Sequence, residues 1–241
     1  RNWFRFLCHS MESIIVTTQE LLQHPRIRRE ALQAGQQEVR VRSMDAIIPE
    51  TLKVVLTPEA LQEYTELLKE EILFWKFCQY KFYEQWKFLK QYANTRGIQI
   101  IGDIPLYMAM DSADVWADRK LFLLEEDGSQ QHVAGSPPDN FSEEGQKWGN
   151  PVYDYSYMEE HQFDWWRHRI EKNAALYDVI RIDHFLGVVR YYTIPFQEKD
   201  CCNGKWNKGP GKKLTDVMEE SAGDCRIIVD NAGSAIAGSR K

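Results

Sequence analysis

The sequence predicts an α/β fold in which helices alternate with parallel strands, and three observations carry that expectation. Three times a helical segment leads into a short apolar strand run, which is the rhythm of α/β units. Each of those runs ends in an aspartate: Asp103, Asp183 and Asp230. The third observation is Val179-Ile180-Arg181-Ile182-Asp183-His184-Phe185, an apolar strand that stops abruptly in a cluster of ionisable residues. In a barrel of parallel strands the carboxyl ends line the active-site face, so an Arg, an Asp and a His placed there converge on a ligand. An unpaired buried charge is costly, which makes Arg181 and Asp183 natural partners. For the heptad taken alone, an aspartate that caps the next helix is the competing reading.

Along the chain, residues 10–40 read as helical and polar, broken at Pro25. Glu38-Val39-Arg40-Val41-Arg42 alternates and suits a short strand or an extended linker. A helix starts at Thr57-Pro58-Glu59, with Thr57 as N-cap and Pro58 in the first helical position. Leu61, Tyr64, Leu68, Ile72, Trp75, Cys78, Phe82, Trp86 and Leu89 then recur at helical spacing, which makes Trp75 and Trp86 expected core residues. Asn94 and Gly97 end this helix. The run Ile98-Gln99-Ile100-Ile101 follows as a buried strand and enters the polar turn Gly102-Asp103-Ile104-Pro105.

A helix over 165–176 precedes the strand over 177–182, and a helix over 214–220 precedes the strand over 226–229. Between the first two strands, Gly135-Ser136-Pro137-Pro138-Asp139-Asn140-Phe141-Ser142 and Gly145-Gln146-Lys147-Trp148-Gly149-Asn150-Pro151 have little periodicity. Long irregular stretches rich in Gly, Pro, amides and aromatics read as binding loops, with a solvated excursion as the alternative.

Composition narrows the class. At 241 residues the chain suits one domain or two small ones, and 43% hydrophobic with 27% charged residues is ordinary for a soluble globular protein. A net charge of −6 argues against nucleic acid, which requires a basic stripe. No apolar run approaches the roughly 20 residues of a membrane helix, so no membrane partner is expected. Cys8, Cys78, Cys201, Cys202 and Cys225 form no Cys-x-x-Cys pair and no Cys/His ligand spacing, so neither a disulfide framework nor a metal site is expected. His132, His161 and His168 read as surface residues, and Lys205, Lys208, Lys212 and Lys213 as a solvated patch. No signal peptide pattern is visible, and a start at Arg1 suggests a fragment. The expected compartment is the cytoplasm, with a plastid as the alternative.

Several longer runs resemble the 4-alpha-glucanotransferases of glycoside hydrolase family 77, also called amylomaltases or disproportionating enzymes. They are Ile101-Gly102-Asp103-Ile104-Pro105 with Asp111-Ser112-Ala113-Asp114-Val115-Trp116, the stretch 133–153, the stretch 181–187, and Gly204-Lys205-Trp206 with Lys208-Gly209-Pro210-Gly211. The resemblance extends over roughly residues 74–233. It implies a partial (β/α)8 barrel with long βα loops over 57–233, preceded by an unplaced helical segment over 1–56 and followed by an unaligned tail over 234–241. It implies transfer of α-1,4-glucan segments between maltooligosaccharides with retention at the anomeric carbon, and no cofactor.

Carried over by motif, Asp183 matches the nucleophile that forms the glucosyl-enzyme intermediate, and Arg181 the arginine that keeps it ionised. His184 matches the sugar-contacting histidine, and Asp103 supports the donor subsites. Asp139, Trp148 and Asn150 belong to a loop that covers the glucan groove. A retaining transfer needs one carboxylate to attack and a second carboxyl group to protonate the leaving oxygen. The family acid is a Glu in a run resembling Ile-Ala-Glu-Asp-Leu-Gly, and the same place reads Ile228-Val229-Asp230-Asn231-Ala232-Gly233. Asp230 is therefore the expected acid, one methylene short.

Other departures are Asn231 for the family's next Asp, Ser136 and Asn140 where Val and Tyr are usual, and Leu186 for an Arg. The family's early motif on the first barrel strand and its late His-Asp motif are absent, so the chain carries about half a barrel on this reading. Two alternatives stand beside transfer: a catalytically inactive glucan-binding remnant, and a related retaining α-glucan hydrolase.

Overall fold

The computed structural model describes residues 58–139 and 142–230. The readings made for residues 1–56, for Thr57 as N-cap, for Asn140 and for the tail over 234–241 lie outside the described residues. Helix α1 (Pro58–Leu67) opens on Pro58, and α2 (Lys69–Asn94) follows after a break at Leu68. Backbone hydrogen bonds from Leu68 to Tyr64 and from Ile72 to Leu68 carry the chain across that break. Asn94 and Gly97 end α2 as expected: the Asn94 amide donates to Ile98 O at 3.0 Å, and Gly97 turns the chain at φ 72°. That left-handed conformation is one that glycine adopts without steric cost.

Trp75 and Trp86 are half-buried rather than core residues. Trp86 Nε1 donates to Leu176 O at 2.8 Å and its ring meets Tyr177 edge-on, so it clamps α2 against the end of a later helix. On the same helix Phe77, Phe88 and Tyr92 are exposed. Helical spacing reveals that a face is apolar but not what covers it.

The first parallel sheet joins β1 (Ile101–Ile104), β4 (Val179–Ile182) and β7 (Arg226–Val229) in the order β1-β4-β7. Strand β7 falls where the sequence predicts it. Strand β1 runs through Gly102, Asp103 and Ile104, the stretch read as a polar turn, so Asp103 lies within the strand. Ile98 and Ile101, read as buried, are exposed. Strand β1 starts three residues later than expected, and β4 two residues later. The cause is Asp178, whose carboxylate accepts from Ile100 N at 2.7 Å and from Asn94 Nδ2 at 2.8 Å. It also faces the Lys90 ammonium at 3.5 Å. Side-chain bonding therefore holds the approach to both strands, and ladder pairing begins only at Ile101 and Val179.

Burial pushes the Asp178 carboxyl up, but the Ile100 amide, Asn94 and Lys90 outweigh it and hold the group below its ordinary 3.8. A depressed folded-state value means stability that is present above the unfolded value and is lost as pH falls through the folded one. Asp178→Ala should lower stability by about 2 kcal/mol in urea unfolding at neutral pH, because it orphans the Ile100 amide as well as removing a charge partner. The gap between variant and wild type should shrink as the pH drops below 3.8.

Helices α5 (Asp164–Leu176) and α7 (Lys212–Ala222) also form where periodicity places them. Their Trp166, Ile170, Leu214 and Met218 pack with Ile104, Ile180 and Ile182 of the sheet into the main core. Burying each such side chain contributes on the order of 2 kcal/mol. Short helices α3 (Ala113–Ala117), α4 (Tyr155–Glu160) and α6 (Leu186–Val189) lie in the connections.

The stretch read as irregular loop is in large part a second sheet. Strands β2 (His132–Ser136), β3 (Gln146–Pro151), β5 (Arg190–Pro195) and β6 (Lys205–Lys208) pair antiparallel in the order β3-β2-β5-β6. The signal is hidden because close packing demands a residue without a side chain. A Cβ at Gly135 would lie 2.4 Å from Gln146 O and 2.6 Å from Ile194 Cδ1. Glycine there allows the strands to approach and also erases the apolar alternation by which a strand is recognised.

Candidate active site

Register assembles the site. In the parallel sheet Asp103 pairs with Arg181, and Arg181 with Ile228. Partnered residues point to the same side, and residues two apart on one strand share a face. Arg181, Asp183 and Asp103 thus occupy one face. Asp230 joins them because Ile182 pairs with Val229, one residue before each acid. The ladder continues past the strand ends: Asp183 N donates to Ile104 O, Asp230 N to Ile182 O and Phe185 N to Asp230 O, each near 3 Å.

Arg181 is the hub of this face. Its Nη1 donates to Asp103 Oδ2 at 2.6 Å and its Nη2 to Asp183 Oδ1 at 3.3 Å. The same Nη2 contacts Asp230 Oδ2. Hydrogen bonds to Asp103 and then Asp230 raise the affinity of Arg181 for its proton. Two acceptors on one nitrogen cannot lie farther apart than the two contacts placed end to end. Their nearest oxygens therefore lie closer together than the roughly 6.5 Å at which the carboxyl separation of inverting enzymes begins. The pairs are open to solvent, so they add little to stability. What they fix is geometry.

His184 follows Asp183 in a left-handed conformation, φ 52°, which swings its ring off the strand direction. It meets the Trp148 ring edge-on at 4.6 Å, while Trp148 Nε1 donates to Gln146 Oε1 at 2.9 Å. The second sheet thus delivers Trp148 to the turn that carries His184. Asn150 Nδ2 donates to Met108 O at 2.9 Å, tying β3 to the loop after β1. Asp139 Oδ1 accepts from Ser142 N at 2.9 Å. The structure therefore brings together Asp103, Arg181, Asp183 and Asp230, and sets His184 and Trp148 beside them. Asn150 ties β3 to the loop after β1, and the Asp139 bond to Ser142 does not bring Asp139 to this group.

Burial holds the His184 imidazole below its ordinary 6.5, against the opposing pull of the Asp183 charge. The ring is neutral in the fold near pH 7. A folded-state value below the unfolded one means stability lost as the pH falls below 6.5. The urea midpoint should drop between about pH 7 and about pH 5, and His184→Gln should flatten part of that drop.

A family model described as 4-alpha-glucanotransferase matches residues 30–238, beyond both ends of the stretch whose motifs are legible by eye. The chain belongs to the 4-alpha-glucanotransferase family. The 4-alpha-glucanotransferase of Clostridium butyricum is 49% identical over 176 residues, covering 73% of this chain and 36% of that protein. The 4-alpha-glucanotransferase of Thermus thermophilus is 43% identical over 175 residues, covering 73% of this chain and 35% of that protein. Amylomaltase from Streptococcus agalactiae in complex with acarbose superposes with a TM-score of 0.70 at 36% identity, over 95% of this chain and 47% of that one. The chain spans about a third of the length of the curated relatives it matches.

Two residues important to the site escaped sequence reasoning. Arg169, buried in α5, donates to Pro105 O at 2.7 Å and to Leu106 O at 3.4 Å, pinning the loop after β1. Tyr107 lies in that loop beneath Trp148 and His184. A charged residue on the buried face of a helix was the available signal for Arg169. For Tyr107 it was the apolar run that continues past Asp103.

Proposed function

We propose that this chain carries the nucleophile-bearing half of a 4-alpha-glucanotransferase, within residues 57–233. It would move α-1,4-glucan segments between maltooligosaccharides by retaining double displacement. The observation that carries the reading is the contact of one Arg181 nitrogen with both Asp183 and Asp230. Asp183 Oδ attacks the anomeric carbon, the glycosidic bond breaks, and the leaving oxygen takes a proton from Asp230. An acceptor hydroxyl then returns its proton to Asp230 as it displaces Asp183. With Asp230 protonated, the carboxylates of Asp103 and Asp183 around one guanidinium still leave local negative charge in excess, which stabilises the positive charge developing on the sugar ring. Trp148 and His184 form an apolar and polar wall for the ring, and a loop-covered groove favours a sugar over water as acceptor.

A partial (β/α)8 barrel fits this reading. Ile101 and Ile228 share the face that bears the acids and are exposed among the described residues, as barrel-interior positions are when further strands lie elsewhere. Asp103, Asp139 and Asn150 complete the proposed substrate-binding set, and no cofactor enters the steps. No described helix is long and apolar enough to cross a membrane. We place the protein in the cytoplasm or a plastid; the potato relative is named as chloroplastic/amyloplastic.

One observation favours a second reading, glucan binding without transfer. A general acid must carry a proton, whereas the Arg181 contact favours an ionised Asp230. Maltoheptaose followed by chromatography of chain lengths together with a reducing-end assay separates the possibilities. Transfer redistributes chain lengths while the number of reducing ends stays constant. Hydrolysis raises that number, and binding alone changes neither.

A further inference from the structure

Trp148 and His184 come from separate elements, one from an antiparallel strand and the other from the turn after β4, yet their rings meet at 4.6 Å. Behind both lies Tyr107, only 6% exposed. Its ring centroid is 6.0 Å from that of Trp148 and 6.2 Å from that of His184. Its ring also stacks on Tyr153 at 5.9 Å with an interplanar angle of 20°. The backbone that carries Tyr107 is held from three directions. Arg169 donates to Pro105 O, Tyr153 Oη donates to Leu106 O at 2.7 Å, and Asn150 donates to Met108 O. Helix α6, which follows the turn that carries His184, fits against it closely: a Cβ on Gly187 would lie 2.9 Å from Tyr107 Oη and 2.3 Å from Leu106 Cδ2.

We propose that Tyr107 is a positioning residue whose ring sets the spacing of Trp148 and His184, so that the two present one sugar-binding wall. The claim that the wall faces sugar rests on the glucan reading above; the claim that Tyr107 sets its geometry does not. The ring does this work, not the hydroxyl. Tyr107 Oη is buried and has no hydrogen-bond partner among the described residues, so removing it breaks no bond. Losing the ring frees both neighbours to shift, and a displacement on the order of 1 Å costs about a hundredfold in a positioned site.

The test compares Y107L and Y107F with the wild-type chain by two readouts. One is maltoheptaose affinity from calorimetry. The other is the chemical shift of the His184 ring protons, displaced by the Trp148 ring current and assigned with an H184Q variant. Y107L should bind maltoheptaose at least about tenfold more weakly, with its His184 shifts relaxed toward those of free imidazole. Y107F should match wild type in both.

Wild-type affinity and shifts in a folded Y107L would overturn the proposal. So would a Y107F as impaired as Y107L. If Y107L does not fold, G187A presses on the same contact from the other side and should move the His184 shifts; unmoved shifts overturn the proposal. If the wild-type chain binds no maltoheptaose, the glucan reading fails. The His184 shifts then decide the positioning claim alone.

Discussion

Asp183→Asn is expected to reduce glucan transfer by on the order of 10⁴-fold or more, the scale on which removal of a reacting group acts. The carboxamide keeps the shape of the side chain, and its oxygen still accepts from Arg181 Nη2, so the face retains its geometry. It cannot form the glycosyl ester. Because Asp183 is solvent-exposed and its ion pair adds little stability, thermal melting should be nearly unchanged. Maltoheptaose affinity should persist as well, since Trp148 and His184 remain in place. Loss of turnover with retained fold and binding assigns a chemical role to this residue; loss of all three assigns a structural one.

Asp230→Glu is the second large effect and acts in the opposite direction. The acid belongs where the leaving oxygen departs, and Asp230, just after β7, is one methylene shorter than the Glu that the resemblance leads one to expect there. Its carboxylate instead contacts Arg181 Nη2, the nitrogen that also serves Asp183. Lengthening it would carry the carboxyl group past the guanidinium, lessen its preference for the ionised form and advance it toward the leaving oxygen. Misplacement by about 1 Å costs about a hundredfold, so transfer should rise by up to that factor. The rate against pH is the measurement. In Asp230→Glu the basic limb of the profile should extend to higher pH, because an acid farther from a cation keeps its proton longer. A slower variant with an unmoved profile would mean that Asp230 already stands where the acid must.

Much of this site is legible in the sequence because strand registry is local. Arg181 and Asp183 lie two apart on one strand, so period-two geometry alone places them on one face. Aspartates at the ends of three apolar runs in an α/β rhythm point to one end of one sheet; Asp103 lies inside β1 and Asp183 and Asp230 just past β4 and β7, and the three do meet at Arg181. What is not local was not legible. The second sheet is built from short strands whose alternation is broken at Gly135 by close packing. Strands β1 and β4 begin late because Asp178 captures the Ile100 amide from 78 residues away. Tyr107 and Arg169 are set by contacts between loops and helices that no periodicity encodes. Trp75 and Trp86 show the limit of periodicity from the other side, since a stripe at helical spacing does not say how much of it is covered.

The measurement that reaches the central claim most directly is incubation of the purified chain with maltotriose at neutral pH, beside Asp183→Asn, with chromatography of the oligosaccharides. Glucose together with maltopentaose and longer products from the wild type, and none from the variant, is the expected result. Unchanged maltotriose from a folded, monodisperse wild-type sample would contradict it, and would leave a chain that keeps the family's face of acids without the family's reaction.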